Sequence, residues 1–347
     1  MEVLLIQKPL QFAALCLLVQ VAATQSAAAQ GAPQQTIRST SNLVVVPTLV
    51  QTPAGELVTN LQAADFLLTD NGVPQTVILE QVERQPVAVV VLMQTGGAAA
   101  RQFPNYRGLT SMLDYLTGSS PHQVALVTFD SQPEEASDFT PEVEDLKQAL
   151  TRPVAGDHGA AILDAVHYGV DLLRQQAAGT RRVLVLLSQP QDDGSKAHAD
   201  AIVQLLGETN TMIYSVTFSP EKTWLKDQFT HERHENPPYE FASGMPPLLH
   251  TFNLDQPARV ALRAMREDTA AEIAALSGGE SLPFGDRGDL DRQLAVLANH
   301  IPNRYTLTFR PTSNQPGFHA IKVQVIHQPE PVTVKARESY WATGPSQ

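Results

Sequence analysis

The chain has 347 residues, long enough for two domains of ordinary size, and 43% of them are hydrophobic, so it can build real cores. Its 36 acidic against 24 basic residues give a formal charge of -12. That balance excludes sequence-independent binding to a phosphate backbone, which depends on Lys and Arg displacing counterions, and nucleic acid is not an expected partner.

The N-terminus reads as an export signal. Lys8 precedes the apolar run FAALCLLVQVAA (12–23), and the small residues of SAAAQ (26–30) place a cleavage site after Ala29, which gives a signal peptide over 1–29. The expected destination is the periplasm, the cell surface or the medium. The alternative is an uncleaved anchor, suggested by Glu2 and a weakly basic start, and only then would the protein meet a membrane. Cys16 is the only cysteine and lies inside the apolar run. Cleavage would leave a mature chain without disulfides, a cysteine nucleophile or a thiolate metal site.

Residues 30–41 are polar and aperiodic, a leader. The segment 42–85 then reads as β structure. NLVVVPTLVQ is β-rich, and DFLLTDNGVPQTVILEQVE is two apolar runs around Asp70, Asn71 and Gly72, a hairpin whose turn chemistry favours positive φ. This segment is too short to enclose a core alone.

From Pro86 strands alternate with helices. PVAVVVLM, QVALVTF, RVLVLLS and TMIYSVTF are short apolar runs of the kind buried on both faces of a parallel sheet. NYRGLTSMLDYL, PEVEDLKQAL, AAILDAVHYGVDLLRQQ and KAHADAIVQLLGE are the intervening helices, and the third carries the apolar stripe Ile162, Val166, Val170 and Leu173. The acidic PEEASDF reads as an edge strand. Residues 219–257 form a long Pro-containing insertion, which is functional or mobile in a compact domain. Helix resumes at VALRAMREDTAAEIAALS with Gly278 and Gly279 as its stop, ESLPF is an edge strand, and a last helix is capped by Asp286 or Asp289. The span 86–302 is therefore an open, doubly wound α/β domain with a mostly parallel sheet. Residues 303–342 return to β structure in RYTLTFRP, HAIKVQVIHQ and VTVKARESYW. Both β segments lack partners of their own, so they are expected to join in one β-sandwich that flanks or holds the α/β domain.

In order and pattern, from Asn42 to Trp341, the chain resembles the von Willebrand factor A-related proteins of bacterial exported type. The leader strands NLVVVPTLVQTPAGELVTNLQAADFLLTDNGVPQTV and the closing strands after Arg304 carry the likeness together with the α/β middle. The resemblance implies a divalent cation at the carboxyl ends of the strands, held by an Asp-x-Ser-x-Ser motif, a Thr before the central helix and an Asp after the fourth strand. Laid on this chain, those five positions hold Gln94, Gly96, Ala98, Ala160 and Gln189. Hard cations need oxygen ligands, some of them anionic, to offset dehydration. The expectation is a degenerate site without cofactor, in which Gln94, Thr95 and Gln189 offer neutral hydrogen bonds and Gly96 and Gly97 admit a protein partner to the backbone.

Other residues carry two readings each. Asp157 and His158 could join Asp192 or Asp193 in a replacement site, against loop polarity and a cap for the following helix. His231 and His234, with Glu235, could share a metal-binding helix face, against a solvated loop. Trp224, Phe229, Tyr239 and Phe241 are either a partner-binding patch or pins for their own loop. No G-x-S-x-G elbow, phosphate-binding loop or paired-carboxylate motif is present. The function expected is a non-catalytic, extracytoplasmic interaction module. The alternatives are an enzyme centred on the His-containing insertion and a passive spacer of the cell envelope.

Overall fold

The computed structural model describes residues 43–80, 85–117, 121–218, 255–313, 315–328 and 330–342. The signal peptide, the leader, Cys16, His231, His234, Glu235 and the four aromatic residues of the insertion lie outside the described residues. The chain opens on β1 (Val44–Gln51), β2 (Phe66–Asp70), β3 (Val73–Gln75) and β4 (Ile78–Glu80). Then come β5 (Val87–Gln94), a 3-10 helix (Ala99–Gly108), α1 (Leu109–Thr117), β6 (His122–Phe129), β7 (Pro133–Thr140), α2 (Val143–Thr151) and α3 (Ile162–Arg174). They are followed by β8 (Arg181–Ser188), α4 (Ala199–Glu208), β9 (Thr211–Phe218), α5 (Asp255–Glu267), α6 (Thr269–Ser277), β10 (Ser281–Phe284) and α7 (Arg287–His300). The chain closes on β11 (Tyr305–Phe309), β12 (Gly317–Val325), β13 (Thr333–Ala336) and β14 (Ser339–Ala342).

The middle of the chain is a six-stranded sheet in the order β10-β9-β8-β5-β6-β7, parallel except for the edge strand β7. The alternation of β5 explains its double burial. Val87, Val89, Val91 and Met93 enter the core shared with α1, α2 and α7, while Ala88, Val90 and Leu92 enter the one shared with α3, α4 and α6. Each large apolar side chain so buried contributes about 1.5–3 kcal/mol. The stripe Ile162, Val166, Val170 and Leu173 is buried as expected, and Gly169 lets α3 sit close, because a Cβ there would meet Leu184 Cδ1 at 2.9 Å. Gly278 ends α6 in the left-handed region at φ 84°, and Asp286 caps α7 by accepting the Asp289 N–H at 2.9 Å.

The outer strands form two four-stranded sheets, β13-β1-β11-β4 and β14-β12-β2-β3, so each sheet mixes N-terminal and C-terminal segments. Val46, Val50, Phe66, Leu68, Leu307, Phe309 and Ile321 fill the space between them. The β2–β3 turn is built by Asn71 and Gly72 at φ 47° and 81°, both positive, as a two-residue hairpin needs. Three details differ from the sequence reading. The first expected helix begins as the 3-10 segment that contains Pro104, whose missing N–H cannot join an α-helical ladder. VTVKARESYW is two strands in different sheets, separated where Arg337 turns inward. Helix α5 begins at Asp255, inside the last residues assigned to the insertion.

Buried ionic contacts tie the sandwich to the α/β unit. Glu280 accepts from Arg304 Nη2 at 2.7 Å, Lys335 Nζ at 2.8 Å and His300 Nδ1 at 3.0 Å. Gln51 Nε2 donates to His300 Nε2 at 3.2 Å, so the imidazole carries its proton on Nδ1, towards Glu280. On another part of the joint, Arg337 is fully buried and donates to Leu206 O and Gly207 O, both at 2.8 Å, and to Asn210 Oδ1 at 3.0 Å. Those contacts close the C-terminal end of α4, and burial lowers the Arg337 pKa to about 10. Inside the sandwich, His319 places Nδ1 at 2.8 Å from Asp70 Oδ1 and Nε2 at 2.8 Å from Gln315 O, while Tyr340 donates to Asp70 Oδ2 at 2.8 Å.

The two clusters predict opposite pH limbs. Burial pushes the Glu280 carboxyl up, but the His300 hydrogen bond and the charges of Arg304 and Lys335 outweigh it and bring the pKa from 4.5 down to about 2. A depressed folded-state pKa stabilises above the unfolded value, so on the order of 3 kcal/mol should be lost as pH falls from about 4.5 to about 2. Urea denaturation across that window should show the loss in the native protein and a shallower decline in Glu280→Gln. For His319, burial disfavours the cation, but Asp70 and the Gln315 carbonyl prevail and raise its pKa. That contribution is complete below the ordinary histidine pKa and is lost as pH rises through the raised one. His319→Gln should abolish this alkaline decline in denaturant midpoint.

Candidate functional site

Strand order reverses at β5, which has β6 on one side and β8 on the other, so the loops after β5 and β8 diverge from a crevice at the carboxyl edge of the sheet. The loop before α3 reaches the same place. Gly97 N donates to Asp157 O at 2.8 Å, Gly156 N donates to Thr95 O at 3.1 Å, and Ala160 exchanges two backbone hydrogen bonds with Asp193, each 2.9 Å.

Gln94 ends β5 and its side chain is wholly enclosed. Its Oε1 accepts the Gln189 backbone N–H at 2.8 Å, and its Nε2 donates to Gln189 Oε1 at 3.2 Å and to Gly96 O at 3.1 Å. Gln189, directly after β8 and half-buried, donates from Nε2 to Gln191 O at 2.9 Å. The two carboxamides therefore bond one another across the crevice. Thr95 turns its hydroxyl to Phe129 O at 3.1 Å, Ala98 packs against the core beneath, and Ala160 is buried.

These placements correct the expected roles of several residues. Gln94, Thr95 and Gly96 are buried and spend their hydrogen bonds inside the chain, so they do not face a partner. Gly96 admits the chain's own backbone, since a Cβ there would lie 2.2 Å from Gly159 O. Gly97, at φ 57°, is exposed and overlies the carboxamide pair.

Asp157, His158, Asp192 and Asp193 surround the crevice without gathering into one site. Asp157 Oδ1 accepts from Gly159 N at 2.8 Å and Ser131 N at 3.1 Å. The Ser131 hydroxyl, followed by the Gly159 N–H, holds its carboxyl below the usual carboxylate range. It stabilises its own loop and does not cap α3. That task falls to Asp192, whose Oδ1 accepts from Leu163 N at 3.0 Å and from the Ser195 hydroxyl at 2.5 Å. A carboxylate there also answers the positive end of the helix dipole. Asp193 contributes its backbone bridge to Ala160, and His158 is exposed.

One contributor escaped the sequence reading. Asp130, directly after β6, accepts Gln132 N at Oδ1 and Asp157 N at Oδ2, both at 3.1 Å, and its carbonyl accepts Ala161 N at 2.8 Å. The available signal was an Asp directly after the apolar run QVALVTF, the same kind of position as Gln94.

The donor set does not fit the divalent cation that the resemblance implies. Positions 94 and 189 supply neutral amides engaged with each other, and Gln94 turns N–H groups, not oxygens, into the crevice. The carboxylates of Asp130, Asp157 and Asp192 are committed to backbone N–H groups, and among the described residues no three His, Asp or Glu side chains are placed to hold a metal.

The family model of the von Willebrand factor type A domain matches residues 90–239. Over that stretch the chain is similar to a von Willebrand factor type A domain. Similar solved structures include an aerotolerance-related membrane protein from Bacteroides fragilis, at 14% identity and a TM-score of 0.40, over 61% of this chain and 98% of that one. BatB from Bacteroides thetaiotaomicron aligns at 11% identity and a TM-score of 0.38, over 61% of this chain and 99% of its own. The PilB minor pilin from Streptococcus sanguinis aligns at 11% identity and a TM-score of 0.41, over 65% of this chain and 63% of its own. No curated protein matches the chain.

The packing of the A-domain crevice predicts unequal tolerance at its two glycines. Gly96→Ala would drive a Cβ to 2.2 Å from Gly159 O and 2.7 Å from Asp130 Cβ, and should cost about 3 kcal/mol or more, the upper range for overpacking. Gly97→Ala meets His158 O at 3.3 Å, and should cost about 1 kcal/mol, mainly for its positive φ. Denaturant midpoints of the two variants give the order directly.

Proposed function

We propose that the protein is a non-catalytic, exported interaction module that recognises a protein partner through the crevice end of its A domain without a divalent cation. The observation that carries this reading is the mutual hydrogen bonding of Gln94 and Gln189 at two positions where a hard cation would need oxygen, some of it anionic. The loops around the pair are already ordered by their own backbone network, and preordered loops lose little entropy when a partner docks. Gly97, Asp157, His158, Gln191 and Asp193 are the exposed groups of this rim. Export rests on the signal peptide over 1–29, and it places the partner in the periplasm or at the cell surface. In this reading the A domain spans 86–302 and is carried by a sandwich built from 42–85 and 303–342.

Titration calorimetry of the EDTA-stripped protein with Mg²⁺, Mn²⁺ and Ca²⁺ should show no micromolar site. A photo-crosslinker at His158 should capture the same envelope protein with or without EDTA. Capture abolished by EDTA and restored by Mg²⁺ would overturn the proposal, as would a cation site that disappears in Gln94→Ala.

A further inference from the structure

We infer that the Gln94–Gln189 carboxamide bridge is a positioning device that ties the loop after β5 to the loop after β8 and holds the A-domain crevice in one closed arrangement. The inference rests on the metal-free reading above, but concerns what the two side chains do in its place. The bridge spans the point where the sheet's connections part in opposite directions, so no backbone ladder beyond the strand ends joins these two loops. Paired strand residues end at Met93 opposite Leu187. Past that register, Gln94 bonds both the backbone N–H and the side chain of Gln189, and also the carbonyl of Gly96 in its own turn. Gln189 continues the chain of bonds to Gln191 O. One continuous run of hydrogen bonds thus passes from the β5 turn to the β8 turn.

Full burial of Gln94 makes the arrangement directional. An amide inside a protein must satisfy both N–H groups and its oxygen, and here each has a partner within the same two loops. Opening the crevice would leave these groups unpaired, so the closed arrangement is favoured by the penalty of the open one. The consequence for recognition is that a partner meets the rim atoms of Gly97, Asp157, His158 and Gln191. The glutamines set where that rim stands.

Amide hydrogen exchange in the full chain tests the bridge without requiring a partner. Gln189→Ala removes the side-chain half of the bridge at a half-buried position, and residues 95–100 and 189–195 should exchange about tenfold faster while the amides of β5 and β8 stay unchanged. Gln94→Glu keeps the volume but places an acceptor oxygen against Gly96 O or Gln189 Oε1, and the same residues should loosen. Unaltered exchange of these loops in Gln189→Ala, or loosening spread evenly over the whole sheet in both variants, would overturn the inference. The calorimetry above separates the two proposals. A cation site found there with the exchange results as expected would end the metal-free reading and leave the bridge. A calorimetric blank with unaltered loop exchange would do the reverse.

Discussion

A buried carboxylate is tolerable only if its lost hydration is replaced, and Glu280 meets that condition with groups drawn from both parts of the molecule. Arg304 directly precedes β11, Lys335 lies on β13, His300 ends α7, and Gln51 of β1 fixes the imidazole tautomer. Arg304 also donates to Gly278 O at 2.7 Å and lies over the Tyr214 ring at 5.4 Å from its centroid. Strands β1, β11 and β13 cannot slide along the α/β unit without breaking this cluster. Arg337 imposes the same condition through the carbonyls of α4, and Gly207 lets the two parts touch there, since a Cβ would lie 2.6 Å from Trp341 Cβ.

That joint gives the A-domain sheet a fixed frame. The helices α4, α6 and α7 that cover the sheet are the ones gripped by the ionic contacts at their C-terminal ends or stops. The crevice lies at the carboxyl ends of the strands, where the local hydrogen-bond network is made among the loops after β5, β6 and β8 and the loop before α3. Beyond the apolar cores, the polar contacts are therefore of two kinds, long-range ionic ones at the joint and the neutral carboxamide pair at the middle of the crevice. The second kind depends on atomic placement more than on charge, which makes it insensitive to ionic strength.

Much of the fold was legible because it depends on local pattern. Runs such as VAVVVLM could be buried on both faces, Asn71-Gly72 could turn a hairpin, and Gly278 could stop a helix, each for reasons contained in a few residues. What stayed hidden depends on partners distant in sequence. Nothing near Arg337 announces that α4 carbonyls await it, so the break between β13 and β14 could not be read. The cap of α3 was sought just upstream, in Asp157, although it comes from Asp192 on another loop. Gln94 and Gln189 were each legible as neutral, but their pairing was not, and in that pairing Gln94 is fully buried.

The neutrality of that pair also explains how the two strand ends can bond one another. Two carboxylates at the ends of adjacent strands would repel at this separation and would each need a cation or water, because an unpaired buried charge costs far more than an unpaired amide. Carboxamides carry donors and acceptors together, so each can serve the other with no counter-ion and no charge to desolvate. The surrounding residues fit the same solution. Ala98 and Ala160 bring no polar atom that would need satisfying, and Ala160 instead lends its backbone to Asp193. The acids Asp130, Asp157 and Asp192 are each met by backbone N–H groups, which support their negative charge. Neutral amides thus bridge the middle of the crevice, and Asp157 and His158 stand exposed to water at its rim.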